Sequence, residues 1–275
     1  MVKLPVDKAL LKARSHMKRG EIEEVEILYK SVLKAFPTNK KAKQGLAGLK
    51  NPPKTTINLK LPQEAIEKLV RFYNTGRLEL VIEKAQKLTK IYPEEFVVWN
   101  LLGAASAGLG KVVEASQAFK RVIEINPKFA DGYNNFGLAC QQLGRREEAI
   151  KAYTIALKLN PNYASAYNNL GNTLKEIGNL EEAIKAYKKA LSLEPNYATG
   201  HNNLGNALKD QGKLDEAITA FNKALHLEAD NAATYNNIGL TLKDQGKLEK
   251  AKESFNRALS LKSDYAKAHR NLSTL

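Results

Sequence analysis

The pattern of hydrophobic and polar positions in this chain repeats every 34 residues. In residues 164–197, the apolar and aromatic side chains fall on one face of each of two successive helices: Tyr167, Leu170 and Leu174 in the first, and Ala183, Ile184, Tyr187, Ala190, Leu191 and Leu193 in the second. Gly178 lies between the two helices, and Pro195 follows the second one. Because glycine readily ends a helix and proline interrupts one, the pattern predicts a pair of antiparallel helices in each period.

Small and aromatic residues recur at the same spacing along most of the chain. The recurring residues are Gly103, Gly137, Gly171, Gly205 and Gly239; Gly76, Gly110, Gly144, Gly178, Gly212 and Gly246; Ala115, Ala149, Ala183, Ala217 and Ala251; and Phe119, Tyr153, Tyr187, Phe221 and Phe255. Such a repeat indicates stacked copies of one small unit that has no core of its own. A stack of this kind presents a long surface instead of a closed pocket, which favours a protein that holds other chains.

The repeated residues identify a family resemblance. With Ala164 as position 1, the unit has an aromatic residue at position 4, Leu at 7, Gly at 8, Ala at 20, an aromatic residue at 24, Ala at 27 and Pro at 32, and it resembles the tetratricopeptide repeat. Val122 replaces the alanine of position 27 in one copy, and Ala229 and Ser263 replace the proline in two others. The resemblance implies an all-α fold, a right-handed superhelical solenoid of antiparallel helix pairs whose first helices line the concave wall.

The copies predict the domain organisation. Residues 1–50 contain a divergent copy over 6–39 and one further helix over Lys40–Lys50, and residues 51–61 read as a linker because Pro52 and Pro53 disfavour helix. The solenoid covers 62–275. Its parts are the divergent copy 62–95, the copies 96–129, 130–163, 164–197, 198–231 and 232–265, and a partial capping helix at 266–275.

Composition and charge limit the cellular setting. The net charge is +14, and residues 1–61 hold 14 basic against 5 acidic residues, so the excess of positive charge is concentrated near the amino terminus. We interpret this excess as a solubilising surface, with nucleic-acid binding by the basic module as the alternative. The only aromatic residues of that module, Tyr29 and Phe36, fit core positions. The single cysteine, the lack of a long apolar run and a charged start predict a cytoplasmic protein without membrane insertion.

Asparagine recurs on the side of the first helix opposite the apolar face. It occupies position 6 at Asn135, Asn169, Asn203, Asn237 and Asn271, position 5 at Asn100, Asn134, Asn168, Asn202 and Asn236, and position 9 at Asn172 and Asn206. Because asparagine is a mediocre helix former, its repetition inside a helix needs another reason. A row of amides could pair with the N–H and C=O groups of an extended peptide, an arrangement that resembles the asparagine ladder in the repeats of O-linked N-acetylglucosamine transferase. The alternative is that these amides bridge neighbouring helices and serve packing.

Charged residues alternate beside the asparagines. Position 12 is Gln141, Lys175, Lys209 and Lys243, and position 13 is Gln142, Glu176, Asp210 and Asp244. The simpler interpretation is a solvated surface of alternating charge, and the functional one is a mixed-charge lining, including the three lysines, that selects polar, flexible segments.

The sequence predicts no catalytic site, no metal site and no cofactor. The four histidines lack metal-ligand spacing, and His201 and His269 occupy position 4, where we expect packing at the core or its edge. Cys140 takes the place of a core leucine in the other copies. The acidic pairs, such as Glu147 with Glu148, begin second helices, where they favour the positive end of the helix dipole.

The leading hypothesis is therefore a non-enzymatic scaffold that binds a partner protein or an extended peptide on its concave face. A second hypothesis comes from the segments VVWNLLGAA and AHRNLSTL and the YNN and HNN repeats. These are similar to the repeat segments that precede catalytic domains in bacterial glycosyltransferases and sulfotransferases, and on this view the chain is the substrate-recognition arm of a transferase. We expect a monomer, with end-to-end self-association as a possibility that exposed solenoid ends leave open.

Overall fold

The computed structural model describes residues 6–50 and 61–275, and these residues form sixteen α-helices and no strand. The helices are α1 Val6–Lys18, α2 Ile22–Ala35, α3 Lys40–Lys50, α4 Gln63–Asn74, α5 Leu78–Ile91, α6 Phe96–Gly108, α7 Val112–Ile125, α8 Ala130–Gln142, α9 Arg146–Leu159, α10 Ala164–Glu176, α11 Leu180–Leu193, α12 Ala198–Asp210, α13 Leu214–Leu227, α14 Ala232–Asp244, α15 Leu248–Leu261 and α16 Ala266–Ser273. The prediction of an all-α solenoid is confirmed. Residues 51–60 of the predicted linker lie outside the described residues, and Leu61 is buried.

The chain divides into two compact units, Met1–Gly132 and Tyr133–Leu275. The first unit contains α1 to α7 and the start of α8, and the second contains the rest of α8 and α9 to α16. The two units are described separately below.

The repeat of residues 164–197 shows why each helix pair forms. Gly178, between α10 and α11, has a φ of +80°, a backbone conformation that costs glycine little because it has no Cβ. The side chain of Asn179 accepts a hydrogen bond from the backbone N–H of Glu182, and Glu181 and Glu182 occupy the first turn of α11. The helix therefore begins with a side-chain cap and with negative charge near its positive end.

The recurring glycine at position 8 lets an aromatic ring rest on the helix backbone. A Cβ atom added to Gly171 would lie 2.6 Å from the Tyr187 ring, and one added to Gly205 would lie 2.5 Å from the Phe221 ring. The same contact recurs at Gly103, Gly137 and Gly239 with Phe119, Tyr153 and Phe255. The two helices of a repeat can pack this closely only because the first helix has no side chain at this point.

The core of the second unit runs continuously through successive repeats. One cluster of buried residues includes Tyr187 of α11, Leu208 of α12, Phe221 of α13, Leu242 of α14 and Phe255 of α15. Each repeat thus completes the core of its neighbour, which is the behaviour expected of a repeat array.

In the first unit, the turn between α1 and α2 packs against α4 and α5. Gly20 lies so close to α4 that a Cβ added there would be 2.7 Å from Cβ of Ala65, and Ile22 packs against the buried cluster of α4 and α5. The carboxylate of Glu23 forms ion pairs with Lys84, at 2.8 Å, and with Lys87. These two lysines lower the pKa of Glu23 to about 2 by hydrogen bonding to its charged form.

Two of the expected core positions of this unit differ in their burial. Tyr29 is buried as expected, in a cluster with Val25 and Val32. Phe36 is 52% exposed, so its assignment to the core was wrong. It is the C-cap of α2, and its position after the last helical residue takes it off the periodic apolar face.

Candidate protein-interaction site

The asparagines of positions 5 and 6 form hydrogen-bonded pairs between successive first helices of the second unit. In each pair, Nδ2 of the position-6 residue donates to Oδ1 of the position-5 residue in the preceding repeat. The pairs are Asn169 with Asn134 at 3.1 Å, Asn203 with Asn168 at 3.0 Å, Asn237 with Asn202 at 3.1 Å and Asn271 with Asn236 at 2.8 Å. We call this set of residues the asparagine row.

The two halves of the asparagine row differ in burial. At position 5, Asn134, Asn168 and Asn236 are buried and Asn202 is half-buried, whereas the position-6 residues Asn169, Asn203, Asn237 and Asn271 are all half-buried. Position 5 therefore serves mainly as the acceptor that ties one repeat to the next. Each position-6 amide donates one of its two N–H groups to the preceding repeat. Among the described residues, nothing donates to the Oδ1 atoms of Asn169, Asn203 and Asn237. Each of these amides therefore keeps one donor and one acceptor for a ligand.

The asparagines of position 9 lie one helical turn further along the same helices. The hydroxyl of Tyr187 donates to Oδ1 of Asn172 at 2.7 Å, and burial raises the pKa of Tyr187, which keeps this hydroxyl protonated. Phe221 occupies the place of this tyrosine in the next repeat, so Asn206 has no such donor. Asn172 and Asn206 are both half-buried.

Most of the polar residues of positions 12 and 13 have a partner, either in a neighbouring repeat or in the same one. Gln141 donates to Glu176 at 2.7 Å, and Lys175 lies 3.0 Å from Asp210. Lys209 lies 3.7 Å from the same aspartate, and Lys243 donates to the backbone carbonyl of Thr274 at 2.7 Å. The charges beside the asparagine row therefore largely compensate one another within the protein.

Position 4 makes a hydrogen bond that the sequence analysis did not identify. A ring nitrogen contacts the backbone carbonyl six residues earlier in three copies: Trp99 Nε1 with Pro93 at 2.9 Å, His201 Nε2 with Pro195 at 2.9 Å and His269 Nε2 with Ser263 at 2.8 Å. The sequence did contain a signal for this bond, because only these copies have a tryptophan or histidine ring, which carries an N–H group, in place of tyrosine. His201 is 9% exposed, as expected for packing at the core or its edge, but His269 is exposed, so the packing predicted for it at the core or its edge was wrong.

Other residues with potential chemistry have structural surroundings. Cys140 is fully buried against Ala149 and Tyr153, in the place of a core leucine. Over residues 6–50 and 61–275, no three His, Cys, Asp or Glu side chains gather as ligands for a metal ion. None of the helices found in these two ranges has the length and apolar character required to cross a lipid bilayer.

Solved structures with the same fold include several repeat proteins. The structure titled "Crystal structure of MamA" is 26% identical to this chain, covers 60% of it and 97% of its own length, and has a TM-score of 0.55. PilF of Pseudomonas aeruginosa is 16% identical, covers 77% of this chain and 96% of its own, and has a TM-score of 0.66. YrrB, described as a TPR protein with an unusual peptide-binding site, is 20% identical, covers 70% of this chain and 98% of its own, and has a TM-score of 0.57.

A search of curated proteins gave no match, but protein-family models recognise the repeats directly. A model described as TPR repeat matches residues 137–178, 171–212 and 205–246, and two models described as tetratricopeptide repeat match 232–265 and 97–129. Together these matches cover more than half of the chain, and they coincide with α6, α7 and most of α8 to α15. The chain therefore belongs to the tetratricopeptide-repeat family.

Proposed function

We propose that this protein is a non-catalytic scaffold that binds an extended peptide segment of a partner protein along the asparagine row. The family and its structural neighbours support a protein-interaction scaffold as the general role. The observation that carries the finer proposal is the half-buried position-6 amide, which repeats from one first helix to the next and keeps hydrogen-bonding capacity.

The geometry favours binding through the peptide backbone. An amide side chain can donate to a C=O group and accept from an N–H group, which are the two groups that every residue of an extended peptide presents. The neighbouring charges are already paired within the protein, as Lys175 and Asp210 are. We therefore expect a polar segment of low net charge, whose affinity changes little with salt.

The test must separate binding from stability, since the same asparagines join the repeats. Binders for the full chain are selected from a phage-displayed library of twelve-residue peptides, and the best peptide is titrated calorimetrically. Asn206 lies one helical turn beyond Asn203 on the same helix and forms no hydrogen bond between repeats, so we expect Asn206→Ala to weaken binding several fold with an unchanged melting temperature. The triple variant Asn169→Ala, Asn203→Ala and Asn237→Ala should abolish binding.

A matched control removes the other half of the same pairs. Asn134→Ala, Asn168→Ala and Asn202→Ala remove the partners of Asn169, Asn203 and Asn237 but leave the position-6 amides in place. Direct binding predicts a smaller loss of affinity for this control than for the position-6 triple variant at equal loss of stability. The proposal would be refuted if the two triple variants had equal affinity for the peptide. It would also be refuted if both Asn206→Ala and the position-6 triple variant kept the full affinity of the unchanged protein.

A further inference from the structure

A second surface of the same unit has the features of a docking site. A groove with a volume of about 930 Å³ lies between α11 and α13 and is floored by α12. Leu191 of α11 and Leu204 and Leu208 of α12 form its apolar base. Leu204 and Leu208 belong to the apolar side of α12, which faces the second helices, so the groove is separate from the asparagine row.

His201 contributes an unusual group to this groove. Its Nε2 atom lies 2.9 Å from the carbonyl oxygen of Pro195, so this nitrogen carries a proton and donates to that oxygen. Nδ1 is buried and has no hydrogen-bond partner in the described part of the chain. Tyr167 and Tyr235 occupy the same position in the neighbouring repeats, and their larger rings would extend further than the imidazole ring does.

The rim of the groove is predominantly basic. Lys188 and Lys223 are exposed, and neither forms an ion pair with any described carboxylate. His226 adds a third basic group, and Glu216 is the acidic residue of the lining. An occupant with negative charge beside its apolar part is therefore complementary to this groove.

The form of the groove favours a protein segment over a small molecule. Small-molecule sites enclose most of the surface of their ligand, whereas this groove is open to solvent along one side. An apolar base surrounded by a polar rim is the arrangement in which one large side chain of a partner protein is anchored.

We propose that this groove binds a segment of a partner protein that carries a large apolar side chain flanked by acidic residues. The apolar side chain packs on Leu191, Leu204 and Leu208, and the acidic residues pair with Lys188 and Lys223. This site is additional to the peptide site proposed above and does not depend on it.

The variant His201→Tyr tests the site by filling the groove with the residue that other repeats carry. The probe is a fluorescein-labelled peptide, Gly-Ser-Glu-Glu-Phe-Glu-Glu-Ser-Gly, titrated against the full chain by fluorescence anisotropy. We expect His201→Tyr to weaken binding at least tenfold. The matched control His269→Tyr changes the same repeat position where it is exposed and outside this groove, and it should bind as the unchanged protein does.

Two further measurements keep the test decisive if His201→Tyr disturbs folding. Lys223→Glu alters only an exposed side chain and should weaken binding several fold. Peptides in which Ala replaces Phe, or Lys replaces every Glu, should bind at least tenfold more weakly. The proposal is wrong if the acidic peptide shows no saturable binding at millimolar concentration, if Lys223→Glu binds it unchanged, or if the Lys-containing peptide binds equally well.

Discussion

At the scale of single residues, the asparagines show how far sequence reasoning reaches. Their recurrence at positions 5 and 6 was enough to predict that they serve a purpose other than helix formation. It was not enough to show that Asn203 pairs with Asn168, because that contact joins residues 35 positions apart and depends on the rotation of one helix against the next. The periodic pattern fixes which face a residue occupies, but not which neighbouring side chain it meets.

Asn203→Ala should destabilise the second unit by about 1–3 kcal/mol, because it leaves the buried Oδ1 of Asn168 without its donor. The measurement is the free energy of unfolding in urea. The control is Asn206→Ala on the same helix, which breaks no hydrogen bond between repeats and should change stability by less than about 0.5 kcal/mol. Equal effects of the two substitutions would contradict a structural role for the pair.

Gly205→Ala should cost about 1–3 kcal/mol, because the added methyl group would overlap the ring of Phe221. Replacing Phe221 by Leu in the same protein should relieve part of this cost, and a double-mutant cycle measures the coupling. Gly212→Ala is the comparison. Its φ of +80° makes alanine strained, but no atom lies within 4 Å of the added Cβ, so its cost should not depend on Phe221.

At the scale of helices, the regular repeats were predictable and the amino-terminal module was only partly so. The pattern placed the helices of 164–197 and the extra helix over Lys40–Lys50, and α10, α11 and α3 occupy those segments. The packing of the α1–α2 turn on α4 and α5 was not predictable. The contact between Glu23 and Lys84 joins residues 61 positions apart across a segment where the 34-residue period is broken, so periodicity gives no register there.

The contact between Glu23 and its two lysines should make this packing sensitive to acid. Since the folded protein lowers the pKa of Glu23 from 4.5 to about 2, the stabilisation is fully present above about pH 4.5 and is lost as the pH falls toward 2. Glu23→Gln should therefore destabilise the protein at pH 6, by less than about 1 kcal/mol because these side chains are partly exposed. The difference from the unchanged protein should shrink toward pH 2.

Urea unfolding at several pH values measures this difference, and Glu67→Gln is the control because Glu67 is exposed and forms no ion pair with a described residue. High salt should reduce the effect of Glu23→Gln at pH 6. A difference between Glu23→Gln and the unchanged protein that stays constant from pH 6 to pH 2 would contradict this account.

At the scale of the whole molecule, stability should be distributed along the chain. In a repeat array each unit contacts its neighbours, and the free energy of unfolding is approximately a sum of unit and interface contributions. The family and the all-α class were predictable because they follow from a pattern repeated many times. The groove beside His201 was not, because it depends on one residue that departs from the repeat.

A local substitution should therefore have a local effect on opening of the structure. In the variant Gly205→Ala, hydrogen exchange followed by mass spectrometry should show faster exchange in α11 to α15, whose buried residues share one cluster. Exchange in α4 to α6 should stay unchanged, since their buried cluster lies in the other compact unit. Uniformly faster exchange along the chain would indicate a single cooperative unit instead.

The direction of the asparagine pairs has a consequence for how such a protein can lengthen. Every pair runs the same way, with the later repeat donating to the earlier one. A duplicated 34-residue segment inserted in frame would therefore bring one donor and one acceptor, and both would find partners at the new junctions. At α16 the residue of position 5 is Arg270, whose guanidinium group cannot accept a hydrogen bond, so duplication that copies this residue inward would interrupt the series. Growth by gene duplication is thus compatible with the interior repeats and incompatible with the one that carries arginine.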